Sequence, residues 1–161
     1  MSDNAASVWI AAIIFGALVI VLVIFGSRNC EAAENYLIFH SVSKHSKSKE
    51  NGVAYNEANY SIGFEHIKGK HGYTAFAYKD SYNTIAKAMA GIYMPIQGKY
   101  GALGVLYGVV QSPSYIDGKI IPMALPRYEY KMKKFAINLM FLPKFKRNGA
   151  HVIGMQLKMR M

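Results

Sequence analysis

The last eleven residues, HVIGMQLKMRM at positions 151–161, carry the pattern that decides the fold. Large apolar side chains occupy every second position: Ile153, Met155, Leu157, Met159 and Met161. The positions between them hold Gly154, Gln156, Lys158 and Arg160. Because successive side chains of a strand point to opposite faces, this spacing predicts a β-strand with one apolar and one polar face. The apolar face suits lipid, and the other suits a polar lumen or a buried network.

The same period of two recurs upstream, interrupted by Gly, Asn, Lys and Pro clusters that predict turns. The predicted strands are 36–46, 60–70, 72–83, 85–97, 101–112, 120–132, 133–145 and 149–161. Their lengths match the roughly 9 to 11 residues of a tilted transmembrane strand, and several connections suit antiparallel hairpins. Aromatic residues near strand ends, among them Tyr36, Tyr73 and Tyr93, are predicted to form interfacial girdles. An all-β fold is expected, an eight-stranded antiparallel up-and-down membrane β-barrel.

An N-terminal apolar helix is predicted to precede this barrel. Residues 8–26, VWIAAIIFGALVIVLVIFG, contain no charged side chain and are long enough to cross a hydrocarbon core as a helix. Residues 1–33 are therefore a signal sequence or a membrane anchor, and residues 34–161 form the barrel domain. The absence of a positive n-region favours an anchor, whereas Ala32 and Ala33 offer a cleavage site. Cleavage predicts the outer membrane of a Gram-negative cell, and a retained helix would allow inner-membrane anchoring.

Composition restricts the partners. Nineteen Lys and Arg against nine Asp and Glu give a formal charge of +10, which favours an anionic partner such as nucleic acid, phospholipid or a phosphorylated glycolipid. No nucleic-acid motif accompanies the charge, so no nucleic-acid partner is expected. The single cysteine, Cys30, excludes an intramolecular disulfide, and the histidine spacing predicts no metal site. A soluble lipid-binding barrel of lipocalin type, with its apolar face turned inward, is the alternative fold.

Three polar features interrupt the strand pattern. His40 ends the apolar stretch YLIFH, Asp80 and Ser81 are adjacent in YKDSYN at 78–83, and YNE occupies 55–57. A histidine base, a serine hydroxyl and an orienting aspartate are the side chains that acyl transfer needs. Adjacent side chains on a strand point to opposite faces, however, and Asp-Ser-x-Asn also occurs in ordinary turns. The run KHSKSK at 44–49 is interpreted as a solvated basic loop.

At these residues the chain resembles the PagP-type lipid A palmitoyltransferases of Gram-negative outer membranes. The resemblance extends in order from Tyr36 to Met161 and is sharpest at Lys79-Asp80-Ser81-Tyr82-Asn83. It also includes the following segments: the strand ending in His40, Tyr55-Asn56-Glu57, Gly63-Phe64, the Gly-rich strand at 101–110, the Pro-containing strand at 120–126, Phe141-Leu142-Pro143 and the final strand.

The resemblance implies an enzyme, a phospholipid:lipid A acyltransferase that holds one acyl chain in the barrel interior. It would move a palmitoyl-type chain from a glycerophospholipid to lipid A or another anionic glycolipid, as a membrane-embedded monomer without cofactor or metal. His40, Asp80 and Ser81 match the family's essential residues near the extracellular rim. His40 would be the base, Asp80 would orient or stabilise charge, and Ser81 would supply a polar contact or a nucleophilic hydroxyl. A non-catalytic lipid-binding or structural outer-membrane barrel is the alternative function.

Two departures from the family pattern concern lipid access and insertion. Asn35 and Asn59 replace prolines at the family's lateral opening, where their hydrogen-bond donors could seal the gap. Met161 replaces the terminal aromatic residue that outer-membrane assembly usually recognises.

Overall fold

The structure, a computed structural model, describes residues 32–47, 49–50, 52–99, 101–144 and 150–161. The predicted apolar helix at 8–26 lies outside the described residues. Among the described residues, no helix is long and apolar enough to span a membrane.

The described chain consists of strands joined by turns. The strands are β1 (Ala33–His45), β2 (Lys49–Glu50), β3 (Val53–Ala54), β4 (Ser61–Lys68), β5 (His71–Lys79), β6 (Ile85–Gly98), β7 (Gly101–Gln111), β8 (Ile120–Lys131), β9 (Phe135–Leu142) and β10 (Val152–Arg160). A single 3-10 turn, Ile116–Gly118, lies between β7 and β8. Each of the eight predicted strands is present within a few residues of its expected bounds, whereas the small β2–β3 hairpin was not predicted.

Eight strands close into one antiparallel barrel. The hydrogen-bonded order is β1, β10, β9, β8, β7, β6, β5 and β4, and β4 pairs with β1 to complete the ring. The prediction of an all-β, eight-stranded antiparallel barrel is therefore confirmed. Each strand follows its neighbour around the ring, as an up-and-down barrel requires.

The two ends of the barrel differ in the length of their connections. At the end that holds both chain ends of the barrel, the turns around residues 69–70, 99–100 and 132–134 are short. At the opposite end the connections 46–60, 80–84, 112–119 and 143–151 are longer. We call these the turn end and the loop end. The same asymmetry distinguishes the periplasmic and extracellular ends of outer-membrane barrels.

Apolar side chains cover the outside of the barrel. Exposed large side chains occur on every strand of the ring, for example Ile62, Met89, Leu103, Leu139 and Ile153. Soluble monomers rarely expose a continuous apolar surface of this kind, so the arrangement favours a membrane over the lipocalin-type alternative. In β10, the predicted inward side chains Gln156 and Lys158 are buried. The girdle prediction was wrong for Tyr36 and Tyr93, which are buried; Tyr73 is exposed, and its place in a girdle stays a prediction.

A cluster of buried charges fills the interior toward the turn end. Arg127 donates from both terminal nitrogens to the Glu65 carboxylate at 2.7 Å, and also donates to Glu129 at 2.8 Å. Lys158 contacts both carboxylates. Two positive and two negative groups balance, as burial away from water demands. Because β4 and β8 lie four strands apart in an eight-strand ring, the Glu65–Arg127 ion pair crosses the barrel diameter.

A β-bulge changes which side chains of β1 face inward. The pairing of β1 with β10 shifts register between Ile38 and His40, where Phe39 is the extra residue. Before the bulge Tyr36 and Ile38 are buried. After it the inward positions are odd-numbered, and Ser41 and His45 are buried. An inserted residue exchanges the two faces of a strand, so everything after Phe39 has the opposite orientation from the one that simple alternation predicts.

Candidate active site

An apolar cavity occupies the loop half of the barrel interior. It has a volume of about 140 Å³ and is open at its mouth. Its apolar walls include Phe76, Ala88, Leu106, Met123, Leu125 and Met140. Its lining is mostly apolar with a few placed polar groups, as in small-molecule sites, but its volume is below the roughly 300–1,000 Å³ of such sites. The cavity therefore suits an apolar group inside the barrel, and a long acyl chain would have to widen it.

The cavity ends at the buried charges. Gln156 lines the cavity and accepts a hydrogen bond of 3.4 Å from Asn138. Asn138 in turn accepts a bond of 2.9 Å from Arg127. An apolar chain that extended further would have to desolvate or separate these ion pairs, at a cost of several kcal/mol. The charged cluster therefore closes the cavity on the side of the turn end.

A histidine and a serine lie next to each other at the loop end of this cavity. The Nε2 atom of His45 is 2.8 Å from the Oγ atom of Ser81, and Ser81 lines the cavity. His45 is the last residue of β1, and its ring stacks on Tyr55 with a centroid separation of 4.3 Å. A hydrogen bond between imidazole and hydroxyl is the geometry that activates a serine for nucleophilic attack.

His40 lies elsewhere. It follows the bulge, pairs with Leu157, and its ring contacts the exposed ring of Tyr60 at 5.6 Å. The histidine that contacts Ser81 is His45 instead. The sequence pattern indicates that His45 belongs to a solvated basic loop, and the structure corrects this expectation. Because the bulge at Phe39 decides which histidine faces inward, strand alternation alone could not have selected His45.

Asp80 is next to Ser81 in the chain, but its carboxylate contacts other residues and not the His45–Ser81 pair. Its buried carboxylate is contacted by the hydroxyls of Ser112, Ser114 and Thr84, the last at 2.6 Å. The backbone nitrogens of Tyr82 and Thr84 also donate to it at 2.9 Å. Burial alone would raise the pKa of Asp80, but these hydrogen bonds outweigh burial and lower the pKa below its usual value. Asp80 is thus an anion that joins the 80–84 connection to the 112–119 connection.

Two asparagines fasten the 46–60 connection to the end of β5. The backbone nitrogen of Asn56 donates to the Ser81 carbonyl at 2.8 Å, and its side chain donates to the Asp80 carbonyl at 3.1 Å. The side chain of Asn59 donates to the Lys79 carbonyl at 2.9 Å. These bonds hold residues 55–59 against Ser81. The polar stretch Tyr55-Asn56-Glu57 noted in the sequence therefore belongs to the same site.

The barrel wall beside this site is incompletely paired. The β1–β4 ladder covers only Ala33 to Ile38 of β1. Beyond Ile38 the two sides are bridged by the Ser41 hydroxyl, which donates to the Asn59 carbonyl, and by the Ser43 nitrogen, which donates to the Glu57 carbonyl at 2.9 Å. Lys44 and the His45 nitrogen also donate to the Glu57 side chain, but such isolated hydrogen bonds are easier to open than a continuous ladder. The gap lies where the resemblance places a lateral opening.

Within the described ranges, no group of three or more His, Cys, Asp or Glu side chains is arranged to hold a metal ion.

The closed ring, the apolar outer surface, and short turns opposite longer loops define an outer-membrane-type β-barrel. No family model and no curated protein matches the sequence. Among solved structures, the chain is similar to the de novo designed TMB2.3, a designed transmembrane barrel determined by solution NMR. The TM-score is 0.53 at 9% sequence identity, covering 81% of this chain and 96% of the designed chain. At this identity the similarity concerns the fold alone.

Proposed function

We propose that the protein is an outer-membrane acyltransferase that moves a palmitoyl-type chain from a glycerophospholipid to lipid A or another anionic glycolipid. The observation that carries this proposal is the apolar cavity inside the barrel, which opens beside the hydrogen-bonded pair His45–Ser81. An acyl chain held in the cavity would bring its ester carbonyl to the loop end. The sequence resemblance to lipid A palmitoyltransferases supports the same activity independently of the cavity.

The proposed reaction has two half-steps. The Nε2 atom of His45 takes the proton of the Ser81 hydroxyl while Oγ attacks the ester carbonyl of the donor phospholipid. The ester bond breaks, the lysophospholipid alkoxide leaves with the proton from His45, and the acyl chain is bonded to Ser81. A hydroxyl of the acceptor then gives its proton to His45, attacks the acyl-serine, and the proton returns to Ser81. The acyl chain is transferred without change in oxidation state.

Acceptor binding has support from the charge of the loop end. Exposed lysines lie around it, among them Lys47, Lys87, Lys119 and Lys144. Phosphorylated glycolipids carry negative charge at the height of the outer leaflet headgroups, so Coulomb attraction would concentrate them at this rim. Donor access would use the weakly paired wall between β1 and β4, which leads from the lipid side to Ser41 and Ser43 of the cavity.

Purified protein in detergent micelles, incubated with labelled phospholipid and lipid A, tests the proposal by mass spectrometry of the lipid products. We expect palmitoylated lipid A from the wild type, and a loss of at least about 100-fold in rate for His45→Ala and for Ser81→Ala. His40→Ala is the matched control, and the geometry predicts that it keeps most of the activity. No acylated lipid A from the wild type would refute the proposal. A loss confined to His40→Ala would return the base role to His40.

A non-catalytic lipid-binding barrel is the second candidate. The bridges from Ser41 and Ser43 to the 57–59 backbone favour it, because they could keep the wall closed and trap one lipid. A phospholipid that co-purifies in unit amount, is visible by native mass spectrometry and is never turned over would support this function.

A further inference from the structure

A carboxylate lies beside the ring of His45, on the side away from Ser81. His45 is 7% exposed, and its Nδ1 atom has no hydrogen-bond partner among the described residues. The Oε1 atom of Glu57 is 3.9 Å from this Nδ1 atom. A buried ring nitrogen without a partner is destabilising, so the side chain that faces it requires an explanation.

Glu57 is held in place by three other contacts. Its Oε2 atom accepts a hydrogen bond of 2.9 Å from Lys44, and Oε1 accepts one of 3.3 Å from the backbone nitrogen of His45. Its own carbonyl accepts from the Ser43 nitrogen at 2.9 Å. The hydrogen bonds from Lys44 and the His45 backbone lower the pKa of Glu57 below its usual value, so the side chain is an anion at neutral pH.

We propose that Glu57 is the positioning residue of a Ser81–His45–Glu57 relay. The inference deepens the proposed function and rests on it. The sequence suggests Asp80 for the orienting role, but its carboxylate is already hydrogen-bonded to the hydroxyls of Ser112, Ser114 and Thr84. Glu57 instead has one oxygen bonded to Lys44, and its other oxygen, which accepts from the His45 backbone nitrogen, lies 3.9 Å from Nδ1 of the imidazole.

The relay accounts for the orientation of the imidazole. A carboxylate near Nδ1 favours the tautomer that carries its proton there, which leaves Nε2 free to accept the proton of Ser81. When Nε2 gains that proton, the negative charge of Glu57 stabilises the imidazolium, and Glu57 itself remains unprotonated. Tyr55 stacks on the imidazole at 4.3 Å and so limits the ring to rotation within its own plane. A small rotation of this kind would close the 3.9 Å separation between Nδ1 of His45 and Oε1 of Glu57.

The pH dependence of His45 tests the relay separately from transfer. Among the described residues, the charged and titratable groups around its ring are Glu57, Lys44, Tyr55 and, beyond Tyr55, Tyr82. Removal of the Glu57 charge at about 4 Å corresponds to about 0.8 pH unit in bulk water, and to more beside the buried His45 ring. In Glu57→Gln we therefore expect the midpoint of the His45 imidazole titration, followed by NMR in micelles, to move to lower pH by at least that amount.

Activity is measured on the same samples. Glu57→Gln should lower the rate of acyl transfer by about 100-fold and move the acid limb of its pH–rate profile by the same interval as the NMR midpoint. Glu57→Asp keeps the charge and should recover most of the midpoint, which guards against misfolding of the first variant. Asp117→Asn is the matched control, since it removes one exposed carboxylate at the same end, at a position with φ of 56° that asparagine tolerates.

The two hypotheses fail in different ways. A midpoint in Glu57→Gln that equals the wild type, or that moves no more than in Asp117→Asn, overturns the relay whatever the activity. A displaced midpoint in a protein that transfers no acyl chain supports the His45–Glu57 coupling and refutes the acyltransferase. A displaced midpoint together with the displaced pH–rate profile supports both.

Discussion

Replacement of Lys158 by methionine should destabilise the barrel more than any exposed lysine replacement. Lys158 is fully buried and contacts both Glu65 and Glu129, whose other cationic partners are the buried Arg127 and, for Glu129, the partly exposed Lys131 at 3.6 Å. With Lys158 removed, the two buried carboxylates face one buried guanidinium, and the second negative charge keeps only the more distant, partly exposed Lys131 beside Glu129. Loss of one partner of a buried ion pair costs about 3–5 kcal/mol.

The magnitude can be measured as a shift in unfolding midpoint. With a urea dependence of about 2 kcal/mol per molar, a loss of 3–5 kcal/mol moves the midpoint down by about 1.5–2.5 M. The assay is equilibrium urea unfolding of protein reconstituted in lipid vesicles, followed by far-UV circular dichroism. Lys134→Met is the matched control because Lys134 is exposed in a turn, and its effect should be within about 0.5 kcal/mol.

A double variant separates charge from packing. In Lys158→Met with Glu129→Gln, the remaining Arg127 and Glu65 are again balanced, so at least half of the lost free energy of unfolding should return. The argument fails if Lys158→Met shifts the midpoint no more than Lys134→Met does. It also fails if the double variant is no more stable than the single one.

Three further predictions concern the cavity, the loops and the barrel wall. Ala88→Met fills part of the cavity and should shorten the acyl chain that is transferred or retained, as measured by mass spectrometry of bound and product lipids; an unchanged chain length would exclude Ala88 from the wall of the acyl site. Because the folded-state pKa of Asp80 is depressed, the stabilisation that its carboxylate gives to the loops is present above the ordinary Asp pKa and is lost as pH falls through the folded-state pKa. The rate of hydrogen exchange at 112–115 should therefore rise only in acid in the wild type, but should be raised already at neutral pH in Asp80→Asn. Gly104→Ala places a Cβ atom 1.9 Å from the Tyr93 carbonyl and should destabilise by about 3 kcal/mol or prevent insertion, whereas Gly98→Ala, with its nearest atom at 3.7 Å, should fold like the wild type in a gel heat-modifiability assay.

The sequence by itself determined the strands and the surface of the barrel. Alternation is a local property, so the apolar face of each strand, as in Met155 and Met159 of β10, can be recognised without knowledge of any partner strand. Eight such segments with short connections leave an antiparallel closed ring as the simplest way to pair every edge. The loop-end positions of Asp80 and Ser81 also follow, since they lie near the end of the predicted strand 72–83.

Only the tertiary structure decided the chemistry of the interior. The bulge at Phe39 inverts the phase of β1, and this turned His40 outward and His45 toward Ser81. A bulge depends on how two paired strands accommodate an extra residue, which alternation in one strand does not reveal. The partners Glu65 and Arg127 are 62 residues apart in the chain and meet only because ring closure places β4 opposite β8. Contacts of this kind are set by strand order and register, so they exist only after the barrel has closed.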